Sequence, residues 1–222
     1  EEPVNYWMHS NMLNFNGQKM SKSLGNSILP LELVTGNHPL LDKAYSPMVV
    51  RLLFLQSHYA SELDINIKSL QDAEKNLRKL LNAANYLQEI TQSGELKPDV
   101  DIENQIHQLC LGCKGAMDDD FNTAKTVANL LGLATHINTY YNNGKTANNI
   151  SVDVYNSLQK YYVEYLFDVL GLKNETQNTD GSNETLDKVM NLVIDIRKQA
   201  RENKDWTTSD KIRDALKDAK IN

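Results

Sequence analysis

Apolar residues return at helical spacing over most of this chain. The longest such pattern covers 67–92, where Leu70, Ala73, Leu77, Leu80, Leu81, Ala84, Leu87 and Ile90 recur every three or four residues. Lys75, Arg78 and Lys79 fall off that stripe. At about 1.5 Å per residue a helix of this length extends roughly 40 Å, and Ser93-Gly94 with Pro98 closes it. A second stripe over 100–117 joins Ile102, Ile106, Leu109, Cys110, Cys113, Ala116 and Met117. A third, over 122–142, joins Val127, Leu130, Leu131, Ala134 and Ile137. The fourth opens at Ser151, stops at Gly171 and is built from Tyr155, Leu158, Tyr162, Tyr165, Leu166 and Val169. Because leucines interleave with the tyrosines, this row reads as core rather than as a platform for stacking bases. A polar segment without an apolar anchor, 173–184, is expected to be a flexible loop. Helices over 184–203 and 207–219 follow, the first turning Leu186, Val189, Met190, Val193, Ile196 and Ala200 inward. Thr207 with Asp210 three residues later gives the second a capping-box-like start.

The front of the chain has a different texture. Tyr6-Trp7-Met8-His9 is an aromatic-rich run that reads as a strand or strand edge, with Tyr6 and Met8 packed in the core. Phe15 and the residues before it form a strand, and Asn16-Gly17 is the dipeptide best suited to a two-residue type I′ turn, since both central positions need positive φ. Lys19-Met20-Ser21-Lys22-Ser23 then leaves the hairpin as a short cationic loop. A helix over 28–34 tolerates Pro30 in its first turn, and 35–39 carries helix-stop residues. Ser46 caps a further helix with Pro47 at its first position; Val49, Val50, Leu52, Leu53, Phe54 and Leu55 make it apolar nearly all round, as expected of a helix buried between layers.

Composition adds limits. Apolar residues make up 41% of the 222, enough for a helical core, and the net charge of −6 excludes a protein that coats nucleic acid by bulk electrostatics. Any nucleic-acid contact must come from local basic patches on an acidic background. No stretch approaches the ~20 apolar residues of a membrane span, and no signal-peptide pattern opens the chain. The C-x-x-C pair, Cys110 and Cys113, invites a metal or redox reading, but both thiols fall on the apolar stripe and read as small buried hydrophobes. Asp118-Asp119-Asp120 reads as a helix N-terminal cap for the 122–142 helix, where carboxylates meet the positive end of the dipole.

The loop is the most specific signal. Lys19 to Ser23 spells KMSKS, and Leu24-Gly25-Asn26 extends it. This string resembles the signature loop of class I aminoacyl-tRNA synthetases. Four further stretches, 5–10, 57–64, 117–123 and 205–216, are similar to the cysteinyl-tRNA synthetases in particular, in the same order along the chain. The resemblance implies a mainly α fold: an antiparallel helical bundle of the class I synthetase anticodon-binding type, preceded by a short β-hairpin with the KMSKS loop and a helical connector. Its expected divisions are 1–27 for the hairpin at the end of the catalytic region, 28–66 for the connector and 67–222 for the tRNA-binding bundle. The nucleotide-binding half of such enzymes, with its His-Ile-Gly-His-type motif, has no counterpart here, so the chain is expected to be a C-terminal piece, inactive alone.

The resemblance further implies an ATP-dependent ligase that activates cysteine as cysteinyl-adenylate and transfers it to tRNA(Cys). Lys19, Met20, Ser21, Lys22 and Ser23 would bind ATP, with Lys22 the main catalytic contact to the leaving pyrophosphate and Lys19 the second. Gly17 and Gly25 would be hinges, and Trp7 or His9 would line the cleft. Arg51 and His58, and the line Arg197, Arg201 and Lys204, would contact tRNA. Mg2+ would accompany ATP, while the Zn2+ that ligates cysteine in such enzymes would lie in the absent half; Cys110 and Cys113 match none of its ligands. A cytoplasmic monomer is expected. Two alternatives stay open: a stand-alone tRNA-binding module with a vestigial loop, and the related cysteine ligase of mycothiol synthesis.

Overall fold

The computed structural model describes residues 4–175 and, beyond them, 193, 196, 199, 200, 205 and 208–211. Contacts divide the chain into two units, Glu1–Lys173 and Asn174–Asn222. The first begins with strands β1 (Leu13–Phe15) and β2 (Gln18–Lys19), followed by a 3₁₀ turn over Lys22–Leu24. Helices α1 (Pro30–Thr35) and α2 (Pro47–Leu55) lead to strand β3 (Leu63–Ile65). Four longer elements complete it: α3 (Ile67–Leu87), α4 (Val100–Asp118), α5 (Thr123–Asn142) and α6 (Val152–Val163), the last continuing as a π-helical segment over Glu164–Val169. The mainly α expectation is met, with one small sheet at the front.

That sheet has the order β2-β1-β3, antiparallel between β1 and β2 and parallel between β1 and β3. From Phe15 to Leu172 the buried apolar residues form one continuous core. On α3, Leu70, Ala73, Leu77, Leu80, Ala84 and Leu87 are buried as the stripe read from the sequence requires; Ala83 joins them, and Leu81 is half-buried. The tyrosine row on α6 is also core. Tyr162 is fully buried and its hydroxyl donates to the Leu80 carbonyl at 2.9 Å, while Tyr155 donates to the Ile90 carbonyl at 2.7 Å. Each phenol thus meets a backbone acceptor, as a buried hydroxyl must.

Four expectations are corrected. The long helix stops at Leu87 rather than near 92, because the chain beyond it bonds to a distant segment. Thr91 N–H donates to the Lys145 carbonyl at 2.9 Å, and Ala147 N–H donates to the Thr91 carbonyl at 3.0 Å. The aspartate triplet does not open α5. It ends α4, Asp120 and Phe121 take φ of 55° and 50°, and Asn122 caps α5 by accepting from Lys125 N–H at 3.0 Å. A short amide side chain is as good a cap as a carboxylate, and Asn122 sits two residues nearer the helix than Asp120. Tyr6 and Met8 lie on the surface, 90% and 58% exposed, and the run 6–9 forms no strand. Helix α2 buries Val49, Leu52 and Leu53 but leaves Phe54 exposed, so it is covered on one side only. Ser46 and Pro47 open it as read, the Ser46 hydroxyl accepting from Val49 N–H at 3.2 Å.

In the second unit Asp205 accepts from Thr208 N–H at 3.1 Å and from its hydroxyl at 2.6 Å, a cap formed by the aspartate. Of the residues read as inward there, Ala200 is buried and Val193 half-buried, but Ile196 is exposed; Leu186, Val189, Met190, Thr207, Arg197, Arg201, Lys204 and the 176–184 part of the loop lie outside the described residues.

Cys110 and Cys113 are buried on α4, and burial pushes their thiols up to about 11 and about 12. A thiol raised from the ordinary 9.0 holds its proton in the folded chain after the unfolded chain has lost it. The folded state therefore binds more protons above pH 9.0, and stability falls as pH rises from there through about 11 and 12. Urea titrations are expected to show this loss above that pH, and the Cys110→Ala/Cys113→Ala chain is expected to show a shallower one. An equal slope in both chains would contradict it.

Candidate functional site

The hairpin is set by its turn. Asn16 and Gly17 have φ of 50° and 74°, the pair of positive values that a type I′ turn requires, and Phe15 faces Gln18 across it. Gly17 N–H donates to the Asp64 carboxylate at 2.7 Å, and the other oxygen of Asp64 accepts from the Asn66 side chain at 3.0 Å. Asn66 is itself the N-cap of α3. Its side chain accepts from Ser69 N–H at 2.8 Å, while the Ser69 hydroxyl accepts from Asn66 N–H at 2.9 Å. The turn that carries the loop is thereby tied to the start of the longest helix.

Past the hairpin, Met20 tucks against the core and Ser21 starts the 3₁₀ turn, its hydroxyl accepting from Leu24 N–H at 3.3 Å and lying 2.7 Å from that of Ser23. Gly25, at φ 66°, closes the turn in the left-handed region and donates to the Lys22 carbonyl at 3.3 Å. Asn26 holds the two ends together. Buried to 8% exposure, it accepts from Ser21 N–H at 2.8 Å and donates to the Lys19 carbonyl at 3.2 Å. With its backbone bonded inward, the loop turns Lys19 and Lys22 outward, and both are exposed. Neither forms an ion pair among the described residues. Two cations three residues apart, unneutralised, with hydroxyls beside them, suit a polyphosphate.

Residues 1–75 match the family model described as tRNA synthetases class I (C) catalytic domain, and 114–175 match the DALR domain. Among curated proteins, the cysteine–tRNA ligase of Bacteroides fragilis is 40% identical over 216 residues, 97% of this chain and 42% of that protein. That of Porphyromonas gingivalis is 40% identical over 213 residues, 96% of this chain and 42% of its own length. The enzyme of Desulforamulus reducens is 32% identical over 228 residues, 96% of this chain and 45% of its own. The chain is a cysteine–tRNA ligase homologue. It spans about 42% of the length of the Bacteroides fragilis and Porphyromonas gingivalis relatives.

In this ligase homologue the other residues singled out from sequence occupy structural junctions. Arg51, on α2, donates from Nε to the Leu170 carbonyl at 2.8 Å and lies against Gly171, where an added Cβ would come within 2.7 Å of its Nη2. It staples α2 to the end of the π-helical segment. His58 accepts from Ala60 N–H through Nδ1 at 3.2 Å, so Nε2 carries the proton and donates to the Asp120 carbonyl at 3.2 Å. Its ring stacks on Tyr59, whose hydroxyl donates to Asp120 Oδ1 at 2.6 Å. That bond raises the Tyr59 phenol above its ordinary value. His58 and Tyr59 line a cleft of about 410 Å³ with Met8, Met12, Phe54 and Phe121. Trp7 stacks with His9 and is 73% exposed, and neither lines that cleft.

As to metal, burial keeps the Cys110 and Cys113 thiols protonated, and a thiol must lose its proton to be a ligand. Among the described residues no three His, Cys, Asp or Glu side chains converge where a metal ion could be held, so these residues do not fit the zinc of the family. No described helix is long and apolar enough to cross a membrane.

The sequence reading named Asn26 only as the tail of a signature. Its clamp was signalled by an amide side chain just past a loop-closing glycine. Asn26→Ala leaves the Ser21 N–H and Lys19 carbonyl without partners, which is expected to cost about 1–3 kcal/mol. Amide exchange at Ser21 is expected to accelerate, and an unchanged rate would show that the clamp is dispensable.

Proposed function

We propose that this chain works within a cysteine–tRNA ligase, where its loop neutralises the pyrophosphate leaving ATP and its helices hold the tRNA. The observation that carries this is the pair of unneutralised lysines, Lys19 and Lys22, on a loop clamped by Asn26. The family supports the substrates: curated relatives covering nearly the whole chain are named cysteine–tRNA ligases.

Activation joins the cysteine carboxylate to the α-phosphorus of ATP and breaks the bond to the departing pyrophosphate. The carboxylate is already ionised, so no base is required; the barrier lies in charge gathering on the leaving oxygens. Lys22, within the 3₁₀ turn, takes the nearer contact, and Lys19, at the end of β2, the second. Such contacts strengthen as charge develops and so favour the transition state over the bound substrate. Met20 anchors the segment, and Ser21 and Ser23 add hydroxyl donors to ATP. Gly17 and Gly25, both at positive φ, are the hinges about which the segment closes. Mg2+ would travel with ATP.

Domain roles follow the same reading: 1–27 ends the catalytic region, 28–66 connects, and 67–222 is the tRNA arm. Arg51 keeps guanidinium N–H groups beyond the one given to Leu170, which suits backbone contact as well as stapling. Arg197, Arg201 and Lys204 complete the expected tRNA surface.

In the full-length ligase, Lys22→Ala is expected to lower cysteine-dependent ATP–pyrophosphate exchange by ~10²–10³. Arginine at the same position should restore part of the rate. This chain alone should show no exchange. A Lys22→Ala ligase exchanging at the normal rate would remove the loop from the mechanism.

A further inference from the structure

A groove of about 440 Å³ opens where α3 packs against α5. Three cations line it, Lys75, Arg78 and Lys79, and no carboxylate does. That is unusual in a chain with 29 acidic and 23 basic residues. Of the acids of α3, Glu74 pairs with Lys43 at 2.7 Å and Asp72 with the groove's own Lys75 at 3.4 Å, while Glu89, just past the helix, pairs with Lys145. The Asp72–Lys75 contact is an exposed pair three residues apart, worth little and easily exchanged. Arg78 is exposed and forms no ion pair among the described residues.

The remaining wall is made of neutral groups that hydrogen-bond. Asn82 and Tyr86 continue the line along α3, and Asn138 and Asn142 face it from α5. Lys79 is held by the Thr135 hydroxyl at 2.9 Å, which fixes its ammonium while leaving donors to spare. Tyr86 is fixed by stacking on Tyr141, with ring centroids 3.7 Å apart. From Lys75 to Tyr86 the line runs three turns, about 16 Å at 1.5 Å per residue. A row of charge with amides beside it and no acid fits a chain of phosphates better than any single anion. It reads no base edge, so it would position without specifying.

We propose that the α3–α5 groove seats the sugar–phosphate backbone of RNA, contacting two or three successive phosphates through Lys75, Arg78 and Lys79. This rests on the reading of the chain as part of a tRNA-charging enzyme and adds a site outside the residues singled out for that role above. It also answers how a chain of net charge −6 holds a polyanion, by a local cationic channel rather than its overall field.

The test is fluorescence anisotropy with a labelled transcript of cysteine tRNA across a salt series, each chain first checked for native circular dichroism. For Lys75→Gln/Arg78→Gln, which spares the Lys79–Thr135 bond, affinity is expected to fall about tenfold and the salt slope to flatten by about 1–2. Arg78→Glu should weaken binding further, and Arg78→Lys should retain most of it. Lys160→Gln, exposed on α6 outside the groove, should bind like the parent. If the parent binds and the double variant matches it in affinity and slope, the groove is overturned while the functional reading stands. If the parent shows no salt-dependent binding, both fall. A loss equal to that of Lys160→Gln would reduce the effect to bulk charge and overturn the site. Poly-L-glutamate competing as well as RNA at equal charge would reassign it to an acidic polypeptide.

Discussion

Burial of the α3 stripe is the constraint on which the first unit depends. Seven residues of that helix are buried in the continuous core, and both of its ends are fastened by polar groups that belong to other elements. At its start, Asn66 and Ser69 cap each other while Asn66 bonds Asp64, and Asp64 holds the hairpin turn at Gly17. Toward its end, Tyr162 bonds the Leu80 carbonyl and Tyr155 the Ile90 carbonyl. One rigid body therefore supports the cationic loop in front and the bundle behind. The loop's own bonds are local, Asn26 reaching back to the Lys19 carbonyl and the Ser21 N–H. A short loop can then present two lysines at fixed spacing without a partner of opposite charge.

Cation placement separates structural from functional charge in this chain. Lys43 bonds Glu74 and lies over the Tyr45 ring, and Lys145 bonds Glu89 and lies over Tyr141. These lysines close local contacts and add little field. Among the described residues Lys19 and Lys22 have no such acid, and the α3–α5 groove has none in its wall, its one neighbouring acid being Asp72 in an exposed pair with Lys75. An acidic protein that must meet polyphosphates needs positive charge concentrated where acids are kept away. Both places share that property, although one is a loop and the other a helical groove.

How much of this was legible in the sequence depended on whether the cause was local. Asn16-Gly17 fixed the hairpin, and Ser46-Pro47 the start of α2, since each specifies backbone angles or a cap within four residues. Helical stripes marked α3 to α6 because a period of 3.6 needs no knowledge of the partner. Causes further away were invisible. The end of α3 is decided by the strand-like bridge between Thr91 and Thr146, 55 residues off. Asp118-Asp119-Asp120 lies between two helices, and a carboxylate run says nothing about which helix end it serves; Asn122 took the cap. Tyr6 and Met8 looked like core because hydrophobicity alone was read, without the longer period that marks a covered face.

Arg51 and His58 show why residue type does not separate binding from support. Both lie on the segment that joins the loop-bearing sheet to α3, and both were singled out as exposed polar residues near an expected interface. Arg51 ties α2 to the end of the π-helical segment, and His58 donates to the carbonyl of Asp120, a residue held at positive φ. An arginine with one N–H committed still has others to offer, whereas His58 has its donor in one bond and its acceptor in another. Contact with RNA is therefore compatible with the structure at Arg51 and would require His58 to give up a bond that stabilises the α4–α5 junction.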